Sequence, residues 1–266
     1  MKKVFFASIL LVSLMTFTSC EKDNPSDSSF NLFSIEDDKK LGAQVDAEIE
    51  ANSQEFPILN PSQYPEAYAY VNKIRDNILN SGQVFYKDEF PWEMHIIHND
   101  NTLNAFATPG GYIYIYTGLI KYLSAEHELA GVMAHEIAHA DRRHTTDQLT
   151  KIYGLSILLS VVFGNNPNLL ADIAATLVSL KFGRDDERES DEYSVIYLCP
   201  TTYKANGAAA FFERIGNDSA SPPEFLSSHP NPGNRIADIN AKATELGCSG
   251  IGTYEAEYAA FKNTLP

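Results

Sequence analysis

The stretch SAEHELAGVMAHEIAHADRRH, residues 124 to 144, constrains this chain more than any other. Three of the seven histidines fall inside ten residues of it, at His135, His139 and His144. On one helix starting near Ser124, His135 and His139 are four apart and share a face. Their ring nitrogens can then converge on one ion. Leu129, Val132, Met133 and Ile137 supply the apolar surface that anchors such a helix. Glu136 follows the first histidine and sits about 100° around the helix, near an ion without being forced to ligate it.

This is the H-E-x-x-H pattern of zinc hydrolases, in which the glutamate handles the proton of a water. A catalytic zinc needs a third protein ligand and one open position. A histidine after a glycine, as in H-E-x-x-H-x-x-G-x-x-H, is excluded because those positions hold Arg142 and Thr145. His144 lies one residue short of that slot and points in another helical direction, so it reads as a surface or supporting residue, a bystander to the metal. A glutamate from a later helix is the other solution. In FGRDDERESDEYS, Glu187 and Asp191 are four apart and share a face. One carboxylate there can bind the ion while the other accepts the spare N–H of a ligand histidine. Glu189 competes for the ligand role but points elsewhere on that helix.

The rest of the chain frames this helix. Its 266 residues suffice for one sizeable core. With 20 basic against 35 acidic residues, nucleic-acid binding is excluded as a main role. Residues 1–19 combine a basic start with a short apolar run and read as a signal peptide. TSC then places Cys20 as in a bacterial lipobox, with Phe17 an imperfect match; ordinary secretion is the alternative. Residues 20–33 are polar and read as a tether from a lipid to a domain spanning 34–266. The expected location is the bacterial envelope, lipid-anchored at the outer membrane and facing the periplasm. In that compartment Cys199 and Cys248 form either a disulfide or two buried thiols.

Ser34 precedes a helix with Leu41, Val45 and Ile49 four apart. A second helix runs from about Pro65 to Asn80, with Val71, Ile74 and Ile78 on one face. WEMHIIH and GYIYIYTG alternate as strands do. Beyond Ser124 the spacing is helical almost throughout. The expected fold is α+β: mostly helical, with a small antiparallel sheet near the active-site helix. The apolar run from Lys151 to Phe182, broken by GNNPN, reads as two helices, partly core and partly lining a cleft, or as a shallow dip into a membrane surface.

HEIAH together with RDDERESD resembles the HtpX-like and CAAX-prenyl-protease family of zinc metalloendopeptidases. Arg184, Glu187, Glu189 and Asp191 stand in register with that family's second motif, with Ser190 where alanine is usual. LNAFATPGGYIYIYTGLI resembles the segment that leads to its edge strand, and His229, Pro230 and Arg235 resemble its H-P-x-x-x-x-R element. The resemblance implies a zincin-like domain holding one zinc per chain through His135, His139 and Glu187, with Asp191 behind the ligands and Glu136 catalytic. It implies polypeptide substrates, among them misfolded envelope proteins. An extended substrate would pair with Gly110, Gly111, Tyr112, Ile113 and Tyr114; the Tyr112, Tyr114 and Tyr116 stripe reads equally well as an ordinary sheet face. His229 is expected near the metal, as a plug in its fourth position or as an oxyanion donor, with Arg235 tethering its loop. The rival function is a zinc-containing, chaperone-like binding module without turnover.

Overall fold

The structure, a computed structural model, describes residues 33–166, 168–216, 224–231 and 233–266. The expected signal peptide and lipidated Cys20 lie outside the described residues. Phe33, expected to end the tether, is instead buried at the start of the packed chain.

The first helix, α1 (Ile35–Ala51), begins where its capping box dictates: Ser34 Oγ accepts from Asp37 N–H, and the Asp37 carboxylate accepts from Ser34 N–H. Leu41, Val45 and Ile49 are buried as their spacing requires. Pro65 opens α2 (Pro65–Leu79), whose Val71, Ile74 and Ile78 face inward.

Three strands follow: β1 (Met94–Ile97), β2 (Ala105–Ala107) and β3 (Ile113–Tyr116), in the order β1-β3-β2. The β2–β3 hairpin turns through Gly110 and Gly111, both at positive φ. A Cβ on Gly111 would also stand 2.8 Å from the Trp92 ring. Because β3 returns into the gap between β2 and β1, it pairs antiparallel with β2 and parallel with β1. The sheet is therefore mixed rather than antiparallel. Its two faces feed two cores. Ile96, Ala105, Ala107, Ile113 and Ile115 pack toward α2 and the central helix. Phe106, Tyr114 and Tyr116 pack toward α1.

After α3 (Thr117–Tyr122) comes α4 (Glu126–Asp141), the central helix, in which every residue is buried. Gly131 and Gly207 let α9 (Gly207–Gly216) cross it closely; a Cβ at Gly207 would fall 1.8 Å from the His127 carbonyl oxygen. The expected single helix through His144 does not form. Arg143 takes a left-handed conformation, φ 63°, and α5 (His144–Tyr153) starts in a new direction. The apolar run after α5 folds as α6 (Leu155–Val162) and α7 (Leu169–Val178), and both pack on α1. Among the described residues no helix is long and apolar enough to cross a membrane. The chain closes with α8 (Arg184–Leu198), α10 (Glu224–Ser228), α11 (Arg235–Glu245) and α12 (Glu255–Lys262). A disulfide joins Cys199, at the end of α8, to Cys248 after α11.

Candidate metal centre

Four side chains from three places in the chain meet at the middle of α4. That helix presents His135 and His139, α8 presents Glu187, and the residue after α10 is His229. One donor atom from each lies within 4.8 Å of all the others, and all four residues are buried. The Nε2 atoms of His135 and His139 are 3.1 Å apart. Glu187 Oε2 is 3.6 Å from His135 Nε2, and Glu187 Oε1 is 3.4 Å from His139 Nε2. His229 Nδ1 is 3.0 Å from Glu187 Oε1 and 3.4 Å from His135 Nε2. Three imidazole nitrogens and a carboxylate facing one point are a donor set that suits a four-coordinate divalent transition metal.

The atoms turned away from that point are held in place. His135 Nδ1 lies 3.0 Å from Asp191 Oδ1, a contact too bent to form a hydrogen bond. Arg235 grips the same carboxylate, donating from Nε (2.9 Å) and Nη2 (2.7 Å). It also donates to Glu187 Oε2 at 3.1 Å and to the His229 carbonyl at 3.3 Å. Its guanidinium stacks 3.6 Å over the Phe212 ring. One arginine thus ties α11 to Glu187, Asp191 and the His229 backbone. Phe182 stacks on His139 and Phe225 on His229, with centroids 3.8 and 4.3 Å apart, which closes the cluster off with aromatic surface.

Of the two readings of His144, surface or supporting, the structure places it as a buried neighbour of the ligands. The break at Arg143 swings it back, buried, against the cluster. Its Nδ1 lies 3.2 Å from His139 Nδ1, and its Nε2 lies 2.9 Å from Glu189 Oε2. If His139 uses Nε2 as a donor to a metal, its Nδ1 carries the proton. His144 then accepts that proton's hydrogen bond and donates its own Nε2–H to Glu189, which Arg142 holds at 2.7 Å. Glu189 thus points away from the cluster, as its place on the helix implied, yet supports it through His144.

Glu136 is the exception. It is fully buried and neither carboxylate oxygen has a hydrogen-bond partner; His229 Nε2 lies 3.5 Å from Oε1. Burial pushes its carboxyl above the ordinary carboxylate range. Burial also raises Glu187, but the charge on His229 and hydrogen bonds from the three histidines outweigh it and hold Glu187 well below that range. Burial holds His139 well below the usual histidine value. His135 feels the same burial, yet Asp191 and Glu187 lift it to about 9.

One expected element is misplaced. Gly110 to Tyr114 span the hairpin turn and the central strand β3, whose two sides are taken by β1 and β2. They cannot accept another strand. Tyr112, Tyr114 and Tyr116 are buried on the α1 face, away from the metal ligands, as an ordinary sheet face. The outer strand on the side of α4 is β2.

A sequence profile of peptidase family M48 matches residues 65–243, which hold all four cluster residues. The chain belongs to peptidase family M48. M48 relatives include the putative beta-barrel assembly-enhancing protease of Vibrio cholerae, 32% identical over 55% of this chain and 34% of that protein. The beta-barrel assembly-enhancing protease of Escherichia coli is 30% identical over 66% of this chain and 39% of that protein. The mitochondrial metalloendopeptidase OMA1 of Schizosaccharomyces pombe is 27% identical over 79% of this chain and 62% of that protein. The chain thus spans between about a third and two thirds of the length of these relatives.

Proposed function

We propose that this protein is a zinc-dependent metalloendopeptidase. The orphaned Glu136 carboxylate beside a ready-made set of metal donors carries that reading. His135, His139 and Glu187 would hold one zinc, which supplies Lewis-acid polarisation of a peptide carbonyl and acidification of a water. Arg235 holds Glu187 directly and holds the Asp191 carboxylate beside His135. His144 supports His139. Glu136 accepts the proton of the attacking water and returns it to the leaving amine; burial raises its basicity in the direction that exchange needs.

His229 is the gate in this reading. Its Nδ1 stands among the donor atoms, so it would fill the fourth position and hold the site latent. That favours the plug over the oxyanion role, and Arg235 tethers the plug through the His229 carbonyl. The substrate would lie along β2, Ala105 to Ala107, rather than along β3.

The relatives' names, a beta-barrel assembly-enhancing protease and a metalloendopeptidase, support polypeptide substrates; misfolded envelope proteins are the class that an exported, lipid-anchored chain would meet. The leader and Cys20 support a lipid anchor and a periplasmic location. RDDERESD and the H-P-x-x-x-x-R element support a place near the HtpX-like and CAAX-prenyl-protease members of the family.

The test is casein degradation by the purified chain. Activity should disappear on chelation and return with zinc, and His229→Ala should raise the basal rate. Undiminished activity after full metal removal rejects the metallopeptidase. Metal-loaded protein that stays inert even as His229→Ala leaves only the chaperone-like binding module.

A further inference from the structure

A second histidine–carboxylate cluster lies across the sheet from α4. Glu93 and His95 are two residues apart on the extended segment entering β1, so they share its α1 face. Asp46, on α1, sits over them. One donor atom from each of the three lies within 4.8 Å of the others. We propose that Asp46, Glu93 and His95 form a second divalent-cation site, distinct from the cluster on α4.

The strongest observation is the histidine. His95 is 7% exposed, and its ring is stacked on Tyr114 with centroids 4.8 Å apart. Its Nε2 is buried and makes no hydrogen bond, although Asp46 Oδ1 is only 2.9 Å away. The approach is too bent for a proton to bridge the pair. A cation accepting both atoms as donors resolves that misfit, because ligand atoms need to face the ion and not each other.

The surroundings suit this role. Glu50 stands one turn along α1 from Asp46, with Oε1 4.0 Å from His95 Nδ1. At that distance it makes no hydrogen bond to the ring and adds only negative charge beside the cluster. The Tyr114 hydroxyl donates to Asp46 Oδ1 and fixes that carboxylate. Among the described residues, no lysine or arginine pairs with Asp46, Glu50 or Glu93. Their protein partners are His95 and the Tyr114 hydroxyl.

One nitrogen and two carboxylates select a zinc-, nickel- or manganese-like ion over calcium, which takes oxygen ligands only. Glu93 is exposed, so water completes the coordination. Such an ion clamps α1 onto the outer face of the sheet. It is a structural site, since no orphaned general base stands beside it.

Calorimetric titration of zinc into the chelator-stripped full chain tests this directly. Two equivalents are expected. His95→Ala should abolish one. Glu93→Gln, at an exposed position, should weaken that same equivalent about tenfold or more without changing the melting temperature in chelator. Glu50→Gln, which removes only a nearby charge, should weaken it less than Glu93→Gln does. His135→Ala with His139→Ala should instead abolish the other equivalent. A wild-type stoichiometry of one that neither His95→Ala nor Glu93→Gln alters would overturn the proposal and leave the α4 centre untouched.

Discussion

The two ends of α4 and its middle treat buried carboxylates in opposite ways. At the N-terminal end Glu126 accepts from Tyr70, from Lys73 at 2.8 Å and from Tyr203. At the C-terminal end Asp141 accepts from the Phe85 and Tyr86 amides and the Tyr197 hydroxyl, at 2.9, 2.7 and 2.6 Å. Just beyond, Asp38 accepts from Arg143 and Thr146, each at 2.7 Å. Glu136, in the middle, accepts from nothing. All four are buried, so desolvation is common to them. The difference lies in what compensates it. The flanking carboxylates fix the helix against α1, α2, α8 and the segment before β1. The central one has no such partner, and the anchors around it hold its position.

That contrast breaks first at the anchors. Asp141→Ala strands two buried donors and a half-buried one and should cost roughly 2–6 kcal/mol in chemical denaturation, at about 1–3 kcal/mol for each buried unsatisfied group. A loss near 1 kcal/mol would mean that Asp141 does not anchor.

Next comes a pH effect. Burial lifts Asp38 from 3.8 to about 6 despite Arg143. Between those values the native state holds a proton that the unfolded chain releases. Asp38's stabilising contribution is therefore complete below 3.8 and is lost as pH rises through 6, about 3 kcal/mol in all. Melting temperatures from pH 4 to 7 should show this slope in the wild type and a flatter one in Asp38→Asn.

A smaller effect belongs to His144. Replacing it with alanine should weaken metal binding by about 10- to 100-fold, leaving the fold intact, because it acts only through His139. An unchanged affinity by zinc titration would return it to the role of bystander. Smallest is Tyr197→Phe, which removes one of the three donors to Asp141 and should cost about 1–2 kcal/mol in the same denaturation assay.

Much of the site was legible because its spacings are local. His135 and His139 on one helix, and Glu187 and Asp191 on another, follow from the four-residue period. Helices α1 and α2 carry their caps and apolar stripes in plain view. His229 and Arg235 were placed near the metal only by their resemblance to a known element, since they enter from a loop and helix nearly a hundred residues after His135. What the sequence hid is non-local. Nothing in RRH announces that Arg143 turns left-handed and brings His144 onto His139. The mixed sheet depends on β3 slotting between two earlier strands, which alternation alone does not specify. The donors to Glu126 and Asp141 lie on segments more than fifty residues away. The Cys199–Cys248 bond was one of two open alternatives until α8 and the segment after α11 were brought together.

In the proposed mechanism Glu136 serves the proton and not the ion. The most direct measurement pairs zinc content with peptide hydrolysis for Glu136→Gln against wild type. The expected result is unchanged zinc at the His135, His139 and Glu187 centre, an undiminished melting temperature, and hydrolysis reduced by a factor of about 10² to 10⁴ or more. Wild-type turnover in that variant, or loss of its zinc together with its activity, would contradict the account.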